Sequence, residues 1–113
     1  MIISGDYNTA HKSIDLARPE ANQNVSGFLP EERAWIDRWV ENGQMDIFRD
    51  FCPLADQYTW WDMKTGARQR NVGWRIDYHF ITRDLRPKVQ DAKILPEVMG
   101  SDHCPVSIEL KFD

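Results

Sequence analysis

The sequence has 113 residues, 42% of them hydrophobic and 28% charged, with five Trp and a formal net charge of −4. That length suits one domain, and the composition is globular rather than disordered, collagenous or low-complexity. No apolar run approaches the ~18 residues a membrane span needs. The acidic balance argues against coating nucleic acid by bulk charge, though it leaves room for a local basic patch.

Met1 to Ser4 reads as a short buried strand ending at Gly5. It lacks the basic region and long apolar stretch of a signal peptide. A chain that opens on a core strand predicts a further segment upstream, because domains usually begin with surface residues. Residues 7 to 29 are polar and irregular. A loop that long in a compact domain is usually functional or disordered. Pro30-Glu31-Glu32 opens a helix: Pro suits the first helical position and acids suit the positive end of the dipole. Trp35, Ile36, Trp39 and Val40 form its single apolar face, and Gly43 stops it.

Residues 45 to 57 carry no clear period. Tyr58-Thr59-Trp60-Trp61 has strand propensity. From Trp74 to Ile81 the pattern alternates: Trp74, Ile76, Tyr78 and Phe80 share one face, and Arg75, Asp77 and His79 the other. Val89 to Leu95 is a weaker strand, and Val106, Ile108, Leu110 and Phe112 mark a half-buried last one. The reading is an α/β layer: one mostly antiparallel sheet with helices on one face. Cys52 and Cys104 are far apart and match no metal spacing, so they read as reduced thiols of a cytoplasmic protein.

Three polar segments carry chemistry. Gly5-Asp6-Tyr7-Asn8 follows a strand, and the carboxyl ends of strands are where α/β sheets place ligands. An ordinary Asx turn accounts for it equally well. Asp77 lies between Ile76 and Tyr78, where an unpaired carboxylate would be costly. Its partner is either a His, whose tautomer it would fix, or an arginine such as Arg75 or Arg70. Ser101-Asp102-His103 precedes the last strand, either as a plain turn or as a site where one side chain meets a metal and the other a phosphate. Lys64, Arg68, Arg70 and Arg75 form the one clear basic cluster, which is either a phosphate-binding patch or a solvated loop.

In combination these segments resemble the endonuclease/exonuclease/phosphatase superfamily, and within it the exonuclease III-type abasic-site endonucleases. The resemblance rests on Gly5-Asp6-Tyr7-Asn8, Phe28 to Arg33, Tyr58 to Trp61, Trp74-Arg75-Ile76-Asp77-Tyr78 and Ser101-Asp102-His103, in that order. It covers essentially the whole chain. The phosphatases and sphingomyelinases of the superfamily typically carry a different segment around residues 74–78. The resemblance implies that residues 1–113 are the C-terminal half of a four-layer, DNase I-like α/β sandwich. It also implies a DNA-repair phosphodiesterase acting at abasic sites and 3′ ends.

By the same resemblance, Asp6 would position or activate the attacking water and Asn8 would orient the carboxylate and the phosphate. Asp102 would bind Mg²⁺ or Mn²⁺, His103 would contact the scissile phosphate, and Asp77 would orient His103. Trp60, Trp74 and Ile76 would form the pocket for an extruded abasic sugar. Asn22, Arg68, Arg70 and Asn71 would contact the DNA backbone. Val25 departs from relatives that have a polar residue there. Nothing in the chain matches the family's metal-binding Glu, first-strand Asn or catalytic Tyr, which the N-terminal half supplies. The isolated chain is therefore expected to be inactive and to pair as a homodimer through the sheet face that half would cover.

Overall fold

A computed structural model describes residues 1–112. Its central strand is β5 (Asp77–Thr82). On one side β5 pairs antiparallel with β1 (Ile2–Asp6), from Ile2 opposite Ile81 to Asp6 opposite Asp77. On the other it pairs antiparallel with β2 (Gln44–Asp46). The helix α1 (Pro30–Glu41) lies over one face of β5, where Ile36 packs on Tyr78 and Phe80 with Tyr7, Trp39 and Val40 around them. The short helix α2 (Ile47–Phe51) and the β6–β7 hairpin (Val89–Ile94 and Val106–Leu110) close over Ile81 on the other face. No helix among the described residues is long and apolar enough to cross a membrane.

The start of α1 follows from its sequence. Pro30 takes the first helical position, and the Glu32 carboxylate reaches back to accept from the N–H groups of Leu29 (3.1 Å) and Gly27 (2.7 Å). Those donors would otherwise lack partners. Gly43 ends the helix in the left-handed region at φ +98°, which a Cβ disfavours.

Four expectations change. The single sheet is three small antiparallel sheets: β1-β5-β2, β6–β7, and β3 (Trp60–Trp61) with β4 (Gly73–Trp74). The long strand from Trp74 to Ile81 breaks at Arg75-Ile76. There the Thr59 hydroxyl accepts from the N–H groups of Ile76 and Asp77, and the Arg75 N–H donates to the Asp15 carbonyl at 2.7 Å, so these groups leave the ladder. The first strand is present but lies at the sheet edge, mostly exposed rather than buried. The expected bare apolar face of the sheet is mostly covered among the described residues, because Ile81 is wholly buried and Ile108 and Leu110 pack against its cluster, while Phe112 stays exposed.

Residues 7 to 29 form an ordered loop with turns at Ser13–Asp15 and Glu20–Asn22. A buried ionic network holds it. Arg75, 1% exposed, donates to Asp15 at 2.8 Å and makes a two-pronged pair with Asp46, while Arg49 also reaches Asp15 at 2.6 Å. Burial pushes the Arg75 pKa down, but Asp46 and Asp15 outweigh it and raise the value above normal. Burial likewise raises the Asp15 carboxyl, and Arg75 and Arg49 together overcome this and hold it below the usual carboxylate range. Cys52 and Cys104 are free thiols, as expected.

Candidate active site

The end of the β1–β5 ladder sets Asp6 directly opposite Asp77. Asp6 Oδ1 accepts the Asn8 backbone N–H at 2.8 Å, closing an Asx turn with Asn8 in the left-handed region that Asn tolerates. His103 enters from the turn before β7, which the Ser101 hydroxyl shapes by accepting the His103 N–H at 3.1 Å. His103 Nδ1 lies 2.8 Å from Asp77 Oδ2, and Nε2 faces Asp6 Oδ2 across 3.7 Å. An ionised carboxylate only accepts, so Nδ1 carries the proton. Asp77 thus fixes the tautomer and leaves Nε2 toward the cleft. Partial burial pushes the His103 pKa down, but the Asp77 hydrogen bond and charge, with Asp6 and Asp102, outweigh it and raise the value above normal. Of the partners open to Asp77, the structure selects the histidine. Arg75 turns inward to Asp15 and Asp46 instead.

Asp6, Asp77 and His103 each offer one ligand atom, all within 4.8 Å of one another. Two carboxylates with water and phosphate oxygens suit Mg²⁺, which seldom takes an all-protein cage. Asp102 stands beside this group rather than in it. Its Oδ2 accepts the Trp60 indole N–H at 3.0 Å, and Oδ1 has only a 3.4 Å contact from the Ser101 hydroxyl. The Trp60 hydrogen bond, aided by His103, keeps the Asp102 carboxyl below its ordinary range.

Next to Asn8 opens a cavity of ≈ 480 Å³ lined by Trp60, Trp74, Ile76, Asn22 and Val25. Gly27 lets its loop approach Trp74: a Cβ there would sit 2.9 Å from the Trp74 ring, and its φ is +104°. Neither that glycine nor the Trp60–Asp102 bond is evident from the sequence, where Gly27 reads as one loop residue among many and Trp60 only as a pocket wall.

The sequence profile of the endonuclease/exonuclease/phosphatase family matches residues 1–103. The chain belongs to that family. It is 48% identical over 109 residues to an exodeoxyribonuclease of Bacillus subtilis, covering 96% of this chain and 43% of that one. Against the DNA repair nuclease APEX1 of Danio rerio it is 43% identical over 111 residues, covering 97% and 36%. Among solved structures it superposes on an AP endonuclease from Leishmania major with TM-score 0.92 at 35% identity, covering 99% of this chain and 35% of that one. The 3′ phosphatase NExo from Neisseria, bound to product DNA hairpin, gives TM-score 0.92 at 27% identity, covering 98% and 45%. The α/β fold implied by the resemblance is therefore the fold found, and the chain spans less than half the length of the curated relatives it matches.

The family's expected DNA contacts divide in this chain. Arg70 is exposed and gives one N–H to the Thr65 carbonyl, leaving the rest of its guanidinium to solvent; Lys64 is also exposed. Arg68 is engaged within the chain: its guanidinium donates to the carbonyls of Pro96, Val98 and Ser101 and lies 4.5 Å over the Trp61 ring, so it clamps the loop before Asp102. Asn71 is engaged too: Oδ1 accepts the Trp61 indole N–H and Nδ2 donates to the Asp56 carbonyl. Asn22 ties its amide N–H to the Ala17 and Arg18 carbonyls while lining the cavity. Arg75 leaves the basic cluster for the interior because two buried carboxylates claim it.

Proposed function

We propose that this chain carries one half of the catalytic set of a DNA-repair phosphodiesterase acting at abasic sites and 3′ ends. The observation that carries the reading is the Asp6, Asp77 and His103 cluster beside an aromatic cavity. A water oxygen bonds to phosphorus, and the ester P–O bond breaks; the leaving oxygen takes a proton from solvent to become an alcohol. Asp6 orients the attacking water and takes its proton. His103, held by Asp77 and favoured in its imidazolium form by the raised pKa, donates its Nε2–H to a phosphate oxygen where charge builds up, the kind of donor whose loss costs roughly 10²–10³-fold. Asp102 would hold Mg²⁺ or Mn²⁺, which supplies charge neutralisation at the phosphate when bound. Trp60, Trp74 and Ile76 offer a mainly apolar wall. That suits a sugar that has lost its base, whose extrusion is the least costly. Arg70 supplies a charged contact to the strand backbone.

The relatives' greater length is consistent with a second half that supplies the remaining metal ligands, so in this reading the 113-residue chain alone is inactive. The two free thiols suit a reducing cytoplasm. A second reading, a non-catalytic half that self-associates, draws on the free outer edge of β1, whose residues are mostly exposed. The test is duplex binding and cleavage. A duplex with a tetrahydrofuran abasic site should bind more tightly than the intact duplex, and Trp74→Ala should erase the difference. Equal binding of the two duplexes overturns the nuclease reading. Mg²⁺-dependent cleavage by the isolated chain, abolished by His103→Ala, overturns its inactivity.

A further inference from the structure

Trp60 sits between the two parts of the site. On one side it pairs with Trp74 in the β3–β4 ladder; on the other it bridges His103. The neighbouring backbone extends that second contact, because the Trp61 N–H donates to the Asp102 carbonyl at 3.1 Å and the Cys104 N–H to the Thr59 carbonyl at 2.8 Å. The turn bearing Asp102 and His103 is thus laid against the strand that walls the cavity.

The indole then does two things. Its ring lines the cavity, and its edge donates to Asp102 Oδ2 at 3.0 Å. A phenylalanine would wall the cavity comparably but has no donor. The N–H occupies one carboxylate oxygen and leaves the other, Oδ1, with only the 3.4 Å contact from Ser101. A carboxylate that binds a hard cation through one oxygen gains from having the other fixed, because outer partners set the ligand's orientation and its ordering cost.

We propose that Trp60 is a positioning residue for the cation site: its indole N–H holds Oδ2 of Asp102 so that Oδ1 is presented to a divalent metal. This rests on the metal-dependent nuclease reading, in which Asp102 is a ligand. It adds that the side chain walling the lesion pocket also sets the aim of the ligand.

The experiment is an NMR titration of the chain with Mg²⁺, following the Trp indole N–H and the backbone of residues 101–104. In the wild type the Trp60 indole N–H should shift with the Asp102 amide. The Trp61 indole N–H, bonded to Asn71, should not. Trp60→Phe should weaken the cation affinity about 10-fold, in line with losses on removing outer partners of metal ligands. Trp61→Phe, which loses an indole N–H bonded to Asn71 rather than to a carboxylate, should leave that affinity within twofold. An affinity for Trp60→Phe within twofold of wild type overturns the proposal and leaves the nuclease reading standing. A wild type in which Mg²⁺ moves neither Asp102 nor Trp60 overturns both. If Trp60→Phe does not fold, the wild-type comparison decides: a Trp60 indole shift no larger than that of Trp61 overturns the proposal.

Discussion

His103 and Asp77 lie 26 positions apart and meet at 2.8 Å, Nδ1 to Oδ2. The pairing raises the imidazole pKa, so its contribution to stability has a defined sign. It is fully present below the unfolded His value of about 6.5 and is lost as pH rises through the higher folded value. Asp77→Asn should lower the His103 pKa toward or below 6.5, because burial then acts with less opposition. A proton NMR titration of the imidazole in a chelating buffer measures this. An unchanged titration in the variant would show that the pair does not control the protonation of His103.

The Asp15–Arg75–Asp46 network should dominate the response to acid and to core mutation. Asp15 is depressed, so its contribution is full above about 3.9, the unfolded carboxyl value, and is lost as pH falls through the lower folded value. Arg75→Met should cost about 3–5 kcal/mol, because it takes Asp46 from its Arg75 partner and leaves Asp15 with Arg49 alone. The triple variant Arg75→Met, Asp15→Asn, Asp46→Asn should recover most of that loss, since no unpaired buried carboxylate remains. Urea midpoints at pH 7 compare the three proteins. A triple variant no more stable than Arg75→Met would mean that packing, not charge, sets the cost.

In the complete protein, His103→Ala should lower the single-turnover cleavage rate on abasic DNA by about 10²–10³-fold. Trp74→Ala should lower it less and mainly narrow the preference for abasic over intact duplex. The histidine faces the developing charge, whereas the tryptophan shapes the cavity. Equal losses of rate in the two variants would remove that distinction.

The Asp6, Asp77 and His103 cluster was legible because its members lie in short polar segments at strand ends: Asp6 at the end of β1, Asp77 at the start of β5, His103 before β7. Helix α1 was legible from Pro30, the first-turn acids and Gly43. The break at Arg75 was not. Alternation runs unbroken from Trp74 to Phe80, and the break is caused by the Thr59 hydroxyl and the Asp15 carbonyl, both distant in sequence. The same reason hid the fates of Arg68, Asn71 and Arg75. A basic or amide side chain in a charged loop looks solvent-facing until the carbonyls and carboxylates folded against it are known. Helix α2 and strand β2 were illegible for want of length, since five and three residues hold no period.

The free edge of β1 leads to the last prediction. The expectation of a bare apolar sheet face gave way, because α1 covers Tyr78 and Phe80 while α2 and the β6–β7 hairpin cover Ile81. What remains open is a strand edge. Among the described residues β1 pairs only with β5, and Ile2 on it and Met1 just before it are 39% and 61% exposed. Unpaired N–H and C=O groups along such an edge recruit another strand unless charge or proline blocks them, and Ile2, Ile3, Ser4 and Gly5 supply neither. The chain should therefore associate through β1, most simply as a two-fold pair of β1 strands. Ile2→Lys should return it to a monomer without loss of helix or strand signal, because Ile2 is already partly exposed. Sedimentation velocity at micromolar concentration measures both proteins. A monomeric wild type would refute edge pairing, and an Ile2→Lys variant that still associates would place the contact elsewhere.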